Sequence, residues 1–353
     1  MGMERSGRTR LARTAAAVVL FASGLGLGLS RAALGSRTGV GATGTVTTTT
    51  AGGIAKPCRE MHLYAEVIKQ GSIPETRLGF GLTPDTATIP GPLIVLNEGE
   101  CMRIQLTNDI PGRLLKKERA FYGQTDLPLG VSIHPHGVKY QQDSDGTAMT
   151  NSITPPGTSR VYTWYASANT AGYWWYHDHN VGTDHGTGGL AAGMWGGLIV
   201  RRAGDPVPDV PTFVVAFGDN ATIDLQHFPD TPVFTAVQGQ RVEFLVFAWG
   251  NDFHTFHLHA HSWADNRTGI FDPNDPNVRT LDAVPVTPSF SFGFQVIAGD
   301  VSGPGDWMYH CHVQAHSDAG MWSIFRVLPP GSPESEVGTS TARELGLMGV
   351  TPA

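Results

Sequence analysis

One short segment near the C-terminal end of the 353-residue chain brings several metal-binding side chains close together. It reads His310-Cys311-His312-Val313-Gln314-Ala315-His316, and Met321 follows it. A thiolate, imidazoles and a thioether are the soft donors that favour a trigonal copper site with a weak axial methionine. A buried cysteine among core histidines is the alternative, but it leaves the spacing of these donors unexplained. The segment therefore predicts a blue copper site through which electrons pass.

Three more histidine pairs have the spacing i and i+2, which on a β-strand places both side chains on one face. With the pair that flanks Cys311 they supply eight imidazoles: His134 and His136, His177 and His179, His257 and His259, His310 and His312. Eight imidazoles suit three copper ions with positions left open for oxygen and water. A single mononuclear site cannot use so many.

The motifs HPHG, HDH, HTFHLHAHSW and HCHVQAHSDAGM, in that order, resemble the multicopper oxidase family. The short chain with two domains is similar to the bacterial small laccases. The similarity runs from about Cys58 to about Leu328 and includes YWWYHDH, GTDHGTGG, ADNRTGI and WMYHCHVQAHSD. It implies a laccase-type oxidase that couples one-electron oxidations to the four-electron reduction of O2 to water.

The resemblance also implies the role of each ligand among four copper ions, one of type 1, one of type 2 and two of type 3. The type 1 ligands would be His254, Cys311, His316 and Met321. The type 2 ligands would be His134 and His257, and the type 3 ligands His136, His177, His179, His259, His310 and His312. Cys311 lies between two type 3 ligands, so its backbone is a short covalent path for the electron.

Two further residues are candidates for catalytic roles beside the ligands. Asp145 lies in the sequence Asp-Ser-Asp-Gly, and the small laccases carry an acid in a matching motif, which implies a proton relay; an Asp-Gly pair also predicts a turn. Tyr140 matches a tyrosine that in small laccases can supply an electron to the cluster, although a strand tyrosine commonly serves in packing. Both pairs of alternatives stay open at this point.

Four histidines remain outside the ligand set: His62, His185, His227 and His261. His261 shares a face with His259, but the family motif leaves this histidine uncoordinated, so we expect a structural role. His185 follows the HDH motif in a Gly-rich turn and is expected to pack beside the ligands or orient them. The other two carry no functional signal in the sequence.

The composition predicts an all-β fold of two cupredoxin-like β-sandwich (Greek-key) domains. The chain has 44 Gly and 24 Pro, and short Val, Ile, Thr and aromatic runs alternate with turn residues. No long amphipathic helical pattern competes with them. We place domain 1 at residues 56–204 and domain 2, with the blue copper site, at 205–330; Asp205-Pro206-Val207-Pro208-Asp209 marks the junction.

The termini are expected to lie outside the fold. Arginines, then an apolar run from Ala15 to Leu29 and small residues, predict a signal peptide at 1–34, and the run is short for a membrane span. Residues 35–55 are Gly/Thr-rich and predict a flexible segment. Residues 331–353 are expected to form a loose tail. The mature protein is therefore predicted to be secreted, extracellular or in the cell envelope, and not in a membrane.

Cysteine content and charge agree with export and with small-molecule partners. With Cys311 assigned to copper, Cys58 and Cys101 remain as a pair for a bridge in an oxidising compartment, which spacing alone does not establish. A formal net charge of −7 does not indicate the basic surface that nucleic-acid-binding proteins use.

The predicted reductants are phenols or aromatic amines, with O2 as acceptor, and the predicted assembly is a homotrimer. The alternatives are a cuprous or ferrous metallo-oxidase and a copper nitrite reductase. A nitrite reductase needs only a mononuclear second copper and carries its blue ligands in the first domain. The four histidine pairs and the late His-Cys-His motif argue against it.

Overall fold

The computed structural model describes residues 58–68 and 77–347, and its regular secondary structure is mainly β-strand with few helices, which confirms the all-β fold class. The signal peptide and flexible segment predicted at 1–34 and 35–55 lie outside the described residues. The strands before residue 202 are β1 Arg59–Val67, β2 Leu78–Gly81, β3 Gly91–Asn97, β4 Cys101–Asn108, β5 His134–Pro135, β6 Lys139–Tyr140, β7 Ser159–Tyr165, β8 Gly172–His177 and β9 Trp195–Arg201.

Twelve strands follow in the rest of the described chain, together with short helices. These strands are β10 Phe213–Gly218, β11 Thr222–Ile223, β12 Pro232–Val237, β13 Arg241–Ala248, β14 His254–Leu258, β15 Trp263–Ala264, β16 Thr280–Leu281, β17 Ala283–Val286, β18 Ser291–Ile297, β19 Gly305–Cys311, β20 Trp322–Leu328 and β21 Gly338–Thr341. The α-helices of the described chain are α1 Gly112–Tyr122, α2 Thr187–Ala192 and α3 Gln314–Asp318. None of these helices is long and apolar enough to cross a bilayer.

The first nine strands form two sheets that pack face to face, here called the first sandwich. One sheet has the order β2-β1-β4-β7-β6 and the other β3-β9-β8-β5. In β4 the side chains of Met102, Ile104 and Leu106 are buried while Arg103 and Gln105 are exposed, as expected for a strand with one face in the core. Each such buried side chain stabilises the fold by roughly 1.5–3 kcal/mol.

The later strands form the second sandwich. Its sheets have the orders β11-β10-β13-β18 and β17-β14-β19-β20-β12-β21, and β15 and β16 make a separate two-stranded ladder. The core between the two sheets is rich in phenylalanine: Phe213, Phe217, Phe234, Phe244, Phe256, Phe294 and Phe325 are buried there. The strands that carry His254 and Cys311 are central in the larger sheet, which fixes their backbones rigidly.

A third apolar cluster joins the two sandwiches. Trp175 and Trp195 of the first sandwich pack against Leu245 and Phe247 of the second. A sheet that is covered on both faces must bury both sets of its side chains, and Trp195–Arg201 is buried almost throughout. The sandwiches are therefore packed against each other through an apolar interface.

A buried carboxylate adds polar bonds to this interface. Glu243 is fully buried on β13 and accepts two hydrogen bonds from the Arg201 guanidinium, at 2.9 and 2.7 Å. Tyr173, Thr212 and Gln295 donate further hydrogen bonds to it at 2.6–2.9 Å. Burial alone would raise the pKa of Glu243, but the bonds from Arg201 and Thr212 outweigh it and lower the pKa.

Two features near the chain ends complete the fold. A disulfide joins Cys58 to Cys101, the first residue of β4. The expectation of a loose tail after residue 330 is wrong for Gly338–Thr341, because β21 pairs with β12 as an antiparallel edge strand. Its Gly-Thr-Ser-Thr sequence has no apolar alternation, so the backbone ladder rather than a hydrophobic face holds it.

Candidate metal centres

The predicted blue-site donors converge at one end of the second sandwich. His254 begins β14 and Cys311 ends β19, and these strands pair with Phe256 opposite Cys311. His316 lies in the short helix α3 that follows. The antiparallel register therefore brings together residues that are 57 positions apart in sequence.

The donor atoms have a geometry that one metal ion can bridge. The Cys311 Sγ lies 3.7 Å from His254 Nδ1 and 3.6 Å from His316 Nδ1, and the three donors lie within 4.8 Å of one another. Metal–nitrogen and metal–sulfur distances are about 2.0 and 2.3 Å, so ligands of one ion stand about 3–4 Å apart. A thiolate with two imidazoles suits copper.

Met321 lies directly beside these donors. It is fully buried, its N–H donates to the His316 carbonyl at 3.0 Å, and its carbonyl accepts from the Cys311 N–H at 3.0 Å. These two backbone bonds tie the methionine to both flanking ligands. The site is thus built from β14, β19 and the turn after α3.

Burial sets the charge of the blue-site donors before any metal binds. It lowers the pKa of His254 to about 4, aided by repulsion from His316, so this imidazole is neutral at pH 7 and its lone pair is available. Burial raises the pKa of the Cys311 thiol, so the thiolate forms when a metal takes the place of its proton.

A second set of donors belongs to the first sandwich. In the antiparallel pair β5 and β8, His134 lies opposite His177, and the imidazole ring centroids in the set lie 5.2–5.6 Å apart. The set, here called the first histidine set, is His134, His136, His177 and His179. Pro135 is tolerated between two of the ligands because β5 is an edge strand.

Backbone carbonyls select which nitrogen of each ring is free in this set. The Nδ1–H groups of His134, His177 and His179 donate to the carbonyls of Asp145, Asp178 and Asp184 at 2.7–2.9 Å. A carbonyl can only accept, so these rings carry their proton on Nδ1 and present an Nε2 lone pair.

The free nitrogens face one another. His136 Nε2 and His177 Nε2 lie 3.2 Å apart, the separation expected for two imidazoles on one ion with metal–nitrogen distances of about 2.0 Å. Burial lowers the pKa of both rings, that of His136 to about 4, so both imidazoles are neutral at pH 7 and do not repel each other as cations. The first histidine set fits a metal.

The second histidine set, His257, His259, His310 and His312, repeats this arrangement on β14 and β19. The register places His257 opposite His310, and the ring centroids in the set lie 4.9–5.5 Å apart. His257 and His310 donate from Nδ1 to the carbonyls of Asp282 and Cys311, and the Nε2 atoms of His259 and His310 lie 3.3 Å apart.

The two histidine sets do not meet within the described chain. Every ring contact that joins two of the eight imidazoles joins members of the same set. His259 and His312 are exposed. Each set therefore offers one face to its surroundings.

The two candidate catalytic residues lie together beside His134. The Asp145 carboxylate is 3.6 Å from His134 Nδ1 and accepts a hydrogen bond from Thr147 at 2.6 Å. The Tyr140 ring lies 5.7 Å from the His134 ring, and burial, together with the negative charge of Asp145, raises the pKa of Tyr140. Asp145 also belongs to a turn, so the structure accommodates both alternatives stated above.

Sequence reasoning missed two residues that hold the first histidine set. The indole of Trp175 stacks on the His136 and His177 rings at 4.7 and 4.6 Å, and Phe247 stacks on it at 5.0 Å. Asp178 is fully buried and accepts N–H bonds from Ser132, Asn180 and Val181, which shapes the loop that carries His179. Their positions inside YWWYHDH were the only available signal.

Two of the four remaining histidines have both ring nitrogens in hydrogen bonds. His261 donates to the His259 carbonyl and accepts from the Gly299 N–H, which leaves no free lone pair. His62 bonds Thr107 and Tyr64 on the outer face of the first sandwich. His185 is exposed and lies 5.4 Å from the His179 ring. His227 donates from Nε2 to the Asn220 carbonyl at 3.0 Å.

Comparison with known proteins adds to this geometry. Two family profiles, both described as Multicopper oxidase, match residues 124–205 and 205–331. A probable nitrite reductase-hydroxylamine oxidoreductase fusion protein from Kuenenia stuttgartiensis is 33% identical over 272 residues, which is 70% of this chain and 28% of that protein. The chain thus spans little more than a quarter of that relative's length.

Two solved structures show the same fold. One, described as a crystal structure of a multicopper oxidase, has a TM-score of 0.57 at 20% identity and covers 76% of this chain and 89% of its own. The other, a copper nitrite reductase from Nitrosomonas europaea, has a TM-score of 0.56 at 18% identity and covers 80% and 97%. Because a copper nitrite reductase shares this fold, the fold alone does not distinguish an oxidase from a nitrite reductase. The histidine sets, rather than the sandwiches, carry that distinction.

Proposed function

Because the chain belongs to the multicopper oxidase family, we propose that it is a laccase-type oxidase. It takes single electrons from phenols or aromatic amines at the blue site and delivers them to O2 at a three-copper cluster. The observation that carries this proposal is the coexistence of one thiolate site with two sets of four converging imidazoles. Bound copper would supply one-electron redox chemistry at Cys311 and the site where oxygen is reduced.

As the resemblance implies, His254, Cys311, His316 and Met321 would hold the blue copper. His134 and His257 would hold the type 2 ion, and the other six histidines of the two sets would hold the type 3 pair, which would give four coppers per chain. Cys311 connects the sites because its neighbours His310 and His312 belong to the second histidine set. An electron would then pass from Cys311 to the second histidine set through a directly bonded neighbour, either His310 or His312.

Protons reach the cluster through the polar residues beside His134. Asp145 is placed to hold a proton at its carboxylate, 3.6 Å from His134 Nδ1, with Thr147 orienting it. Tyr140, which has its pKa raised by burial and by Asp145, keeps its phenolic proton at pH 7 and is placed to supply an electron with that proton. Four electrons and four protons are needed to convert O2 into two waters.

The cluster is completed by a neighbouring chain. Within one chain each histidine set has an open face, and no described ring contact joins the sets. If the first set of one subunit meets the second set of the next, a head-to-tail contact closes into a ring, and three copies give the homotrimer. Light scattering with copper counted per chain tests this. A fully active monomer with four coppers would refute it.

Export is proposed from the N-terminal sequence and from the disulfide. The Cys58–Cys101 bond is of the kind that persists in oxidising compartments. We therefore place the mature protein outside the cytoplasm, after removal of residues 1–34. N-terminal sequencing of protein recovered from the culture fluid or cell envelope tests this. Full-length chain retained in the cytoplasm would contradict it.

Laccase activity must be distinguished from that of two other enzyme classes, which use a different reductant or a different electron acceptor. A cuprous or ferrous metallo-oxidase would share every ligand, and a copper nitrite reductase would share the blue site. The decisive assay measures O2 uptake per copper with 2,6-dimethoxyphenol, an aromatic diamine, Fe(II) and Cu(I), and nitrite reduction without O2. Phenol-dependent O2 uptake above the metal-ion rates supports the proposal; nitrite reduction alone would overturn it.

A further inference from the structure

The imidazoles of the second histidine set are not all held in the same way. His257 and His310 donate from Nδ1 to backbone carbonyls, which fixes the orientation of each ring directly. His259 lies just beyond the end of β14 and is exposed, and in the described part of the chain its ring makes no hydrogen bond to the backbone. Its Nε2 nevertheless faces the His310 Nε2 at 3.3 Å. The position of the His259 ring is therefore set through its own backbone.

Two hydrogen bonds fix the backbone of His259, and one of them comes from a side chain. Its N–H donates to the Met308 carbonyl on β19 at 2.9 Å, and its carbonyl accepts from His261 Nδ1 at 2.9 Å. Ala260, which lies between the two histidines, has a φ of +60°. A residue with a Cβ adopts this left-handed conformation unfavourably, so it persists only where the surroundings fix it. The His261 bond closes this turn around Ala260.

His261 is itself held rigidly. It is 5% exposed, and its ring packs edge-on against Phe325 at a centroid distance of 5.2 Å. Its Nε2 accepts a hydrogen bond from the Gly299 N–H at 3.0 Å. Because a carbonyl can only accept and an N–H can only donate, the two partners select the same tautomer, with the proton on Nδ1. His261 thus links the carbonyl of His259 to the backbone at Gly299.

The far end of this link is a close-packed turn between β18 and β19. Gly299 has a φ of +65°, and a Cβ built there would lie 2.7 Å from the Gly303 carbonyl oxygen and 2.9 Å from Val327 Cγ1 on β20. The Gly303 N–H donates to the Gly299 carbonyl at 2.9 Å. This packing makes the turn a fixed anchor. Since the turn leads into β19, His261 fixes His259 relative to the strand that carries His310.

Neither metal binding nor packing alone explains both hydrogen bonds of His261. With Nδ1 donating and Nε2 accepting, the ring has no lone pair left for a metal ion. Packing against Phe325 needs only an aromatic ring, and buried polar nitrogens are unfavourable unless each is bonded. One bond is directed at the carbonyl of a ligand residue. Hydrogen-bond partners of metal ligands commonly change metal affinity by roughly 10–100-fold.

We propose that His261 is a positioning residue for the three-copper cluster: its hydrogen bond to the His259 carbonyl holds the His259 imidazole in place, facing His310. The inference deepens the proposed function and rests on it, because it takes His259 as a copper ligand. His261 acts on the chain before copper binds, by fixing one ligand of the second histidine set. The copper affinity of the cluster should therefore depend on His261, whereas that of the blue site should not.

Two substitutions separate the two hydrogen bonds of His261. The amide nitrogen of asparagine stands the same number of bonds from Cβ as histidine Nδ1, so His261→Asn can still donate to the His259 carbonyl. The amide oxygen of glutamine corresponds to Nε2 in the same way, so His261→Gln keeps the bond from Gly299 and loses the bond to His259. Cluster copper should bind roughly 10–100-fold more weakly in His261→Gln, and within a few-fold of the parent in His261→Asn.

The measurement follows copper binding rather than turnover. Copper-loaded protein is dialysed against graded concentrations of nitrilotriacetate, copper is counted per chain, and blue absorption reports the type 1 ion separately. Blue absorption equal to that of the parent shows that the second sandwich is folded in each variant. His62→Gln is the matched control, because both ring nitrogens of His62 are bonded within the first sandwich, and it should bind copper as the parent does.

The outcomes distinguish this role from others. Equal weakening of cluster copper in His261→Asn and His261→Gln would assign His261 to packing or to the Gly299 turn and overturn the inference. Cluster binding like that of the parent in both variants, or loss of the blue ion in step with the cluster, would also overturn it. A parent protein that binds no copper beyond the blue ion would instead overturn the proposed function.

Discussion

Replacing Arg201 with methionine should destabilise the protein strongly and in a pH-dependent manner. The substitution keeps most of the side-chain volume but leaves the fully buried Glu243 without its cation. Removing one partner of a buried ion pair costs about 3–5 kcal/mol, because the other charge stays desolvated. Two charge-assisted hydrogen bonds, each worth about 1.5–3 kcal/mol, give the same range.

The sign of the pH dependence follows from Glu243. In the parent its pKa is lowered on folding, so it contributes stability above its unfolded value of about 4.3 and loses that contribution as pH falls through the folded value. In Arg201→Met burial dominates and raises the folded pKa, so Glu243 folds most favourably when protonated. The deficit of the variant should therefore be largest near pH 7 and smaller near pH 4.

Urea unfolding of copper-free protein, followed by tryptophan fluorescence at one protein concentration, measures this free energy without a contribution from metal binding. Arg202→Met is the matched control, because Arg202 pairs with Glu98 at the surface and should matter far less. The double variant Arg201→Met, Glu243→Leu should recover much of the loss. A deficit below about 1 kcal/mol at pH 7, or one that does not change with pH, would refute the reasoning.

Four further substitutions test the metal centres. Cys311→Ser should abolish the intense blue absorption and the oxidase activity while the cluster stays occupied; blue colour that survives the change would remove Cys311 from the site. Met321→Leu should keep the blue copper and raise its reduction potential, because the oxidised ion loses a weak donor; a potentiometric titration that gives the parent value or a lower one would show that Met321 is not axial. Asp145→Asn should slow cluster reoxidation by O2 without loss of copper, and identical pH profiles for variant and parent would leave Asp145 as a turn residue. Trp175→Leu should weaken cluster copper binding by roughly 10–100-fold and spare the blue absorption, whereas equal losses at both sites would contradict a positioning role.

The convergence of the ligands could be predicted because it depends on strand periodicity. The i and i+2 spacing of His257 and His259 around the end of β14, and of His310 and His312 around the end of β19, already places each pair on one face. The spacing does not predict the register that places His257 opposite His310, because the register depends on how the two strands pair.

Residues that act across the sandwich interface could not be found from local patterns. Trp175 stacks on ligands of its own sandwich and on Phe247 of the other, a contact that exists only once both cores have packed. Such roles depend on tertiary packing rather than on composition or spacing.

The edge strand β21 has a practical consequence for protein production. It pairs with β12 through Pro232–Thr235 and covers one margin of the six-stranded sheet that holds the blue-site ligands. A chain shortened at residue 330 would leave the N–H and C=O groups of β12 unpaired, and exposed strand margins recruit other chains into aggregates. Truncated protein should therefore precipitate during concentration even with its copper ligands intact. A purification tag is better placed beyond Leu347 than in place of the C-terminal residues.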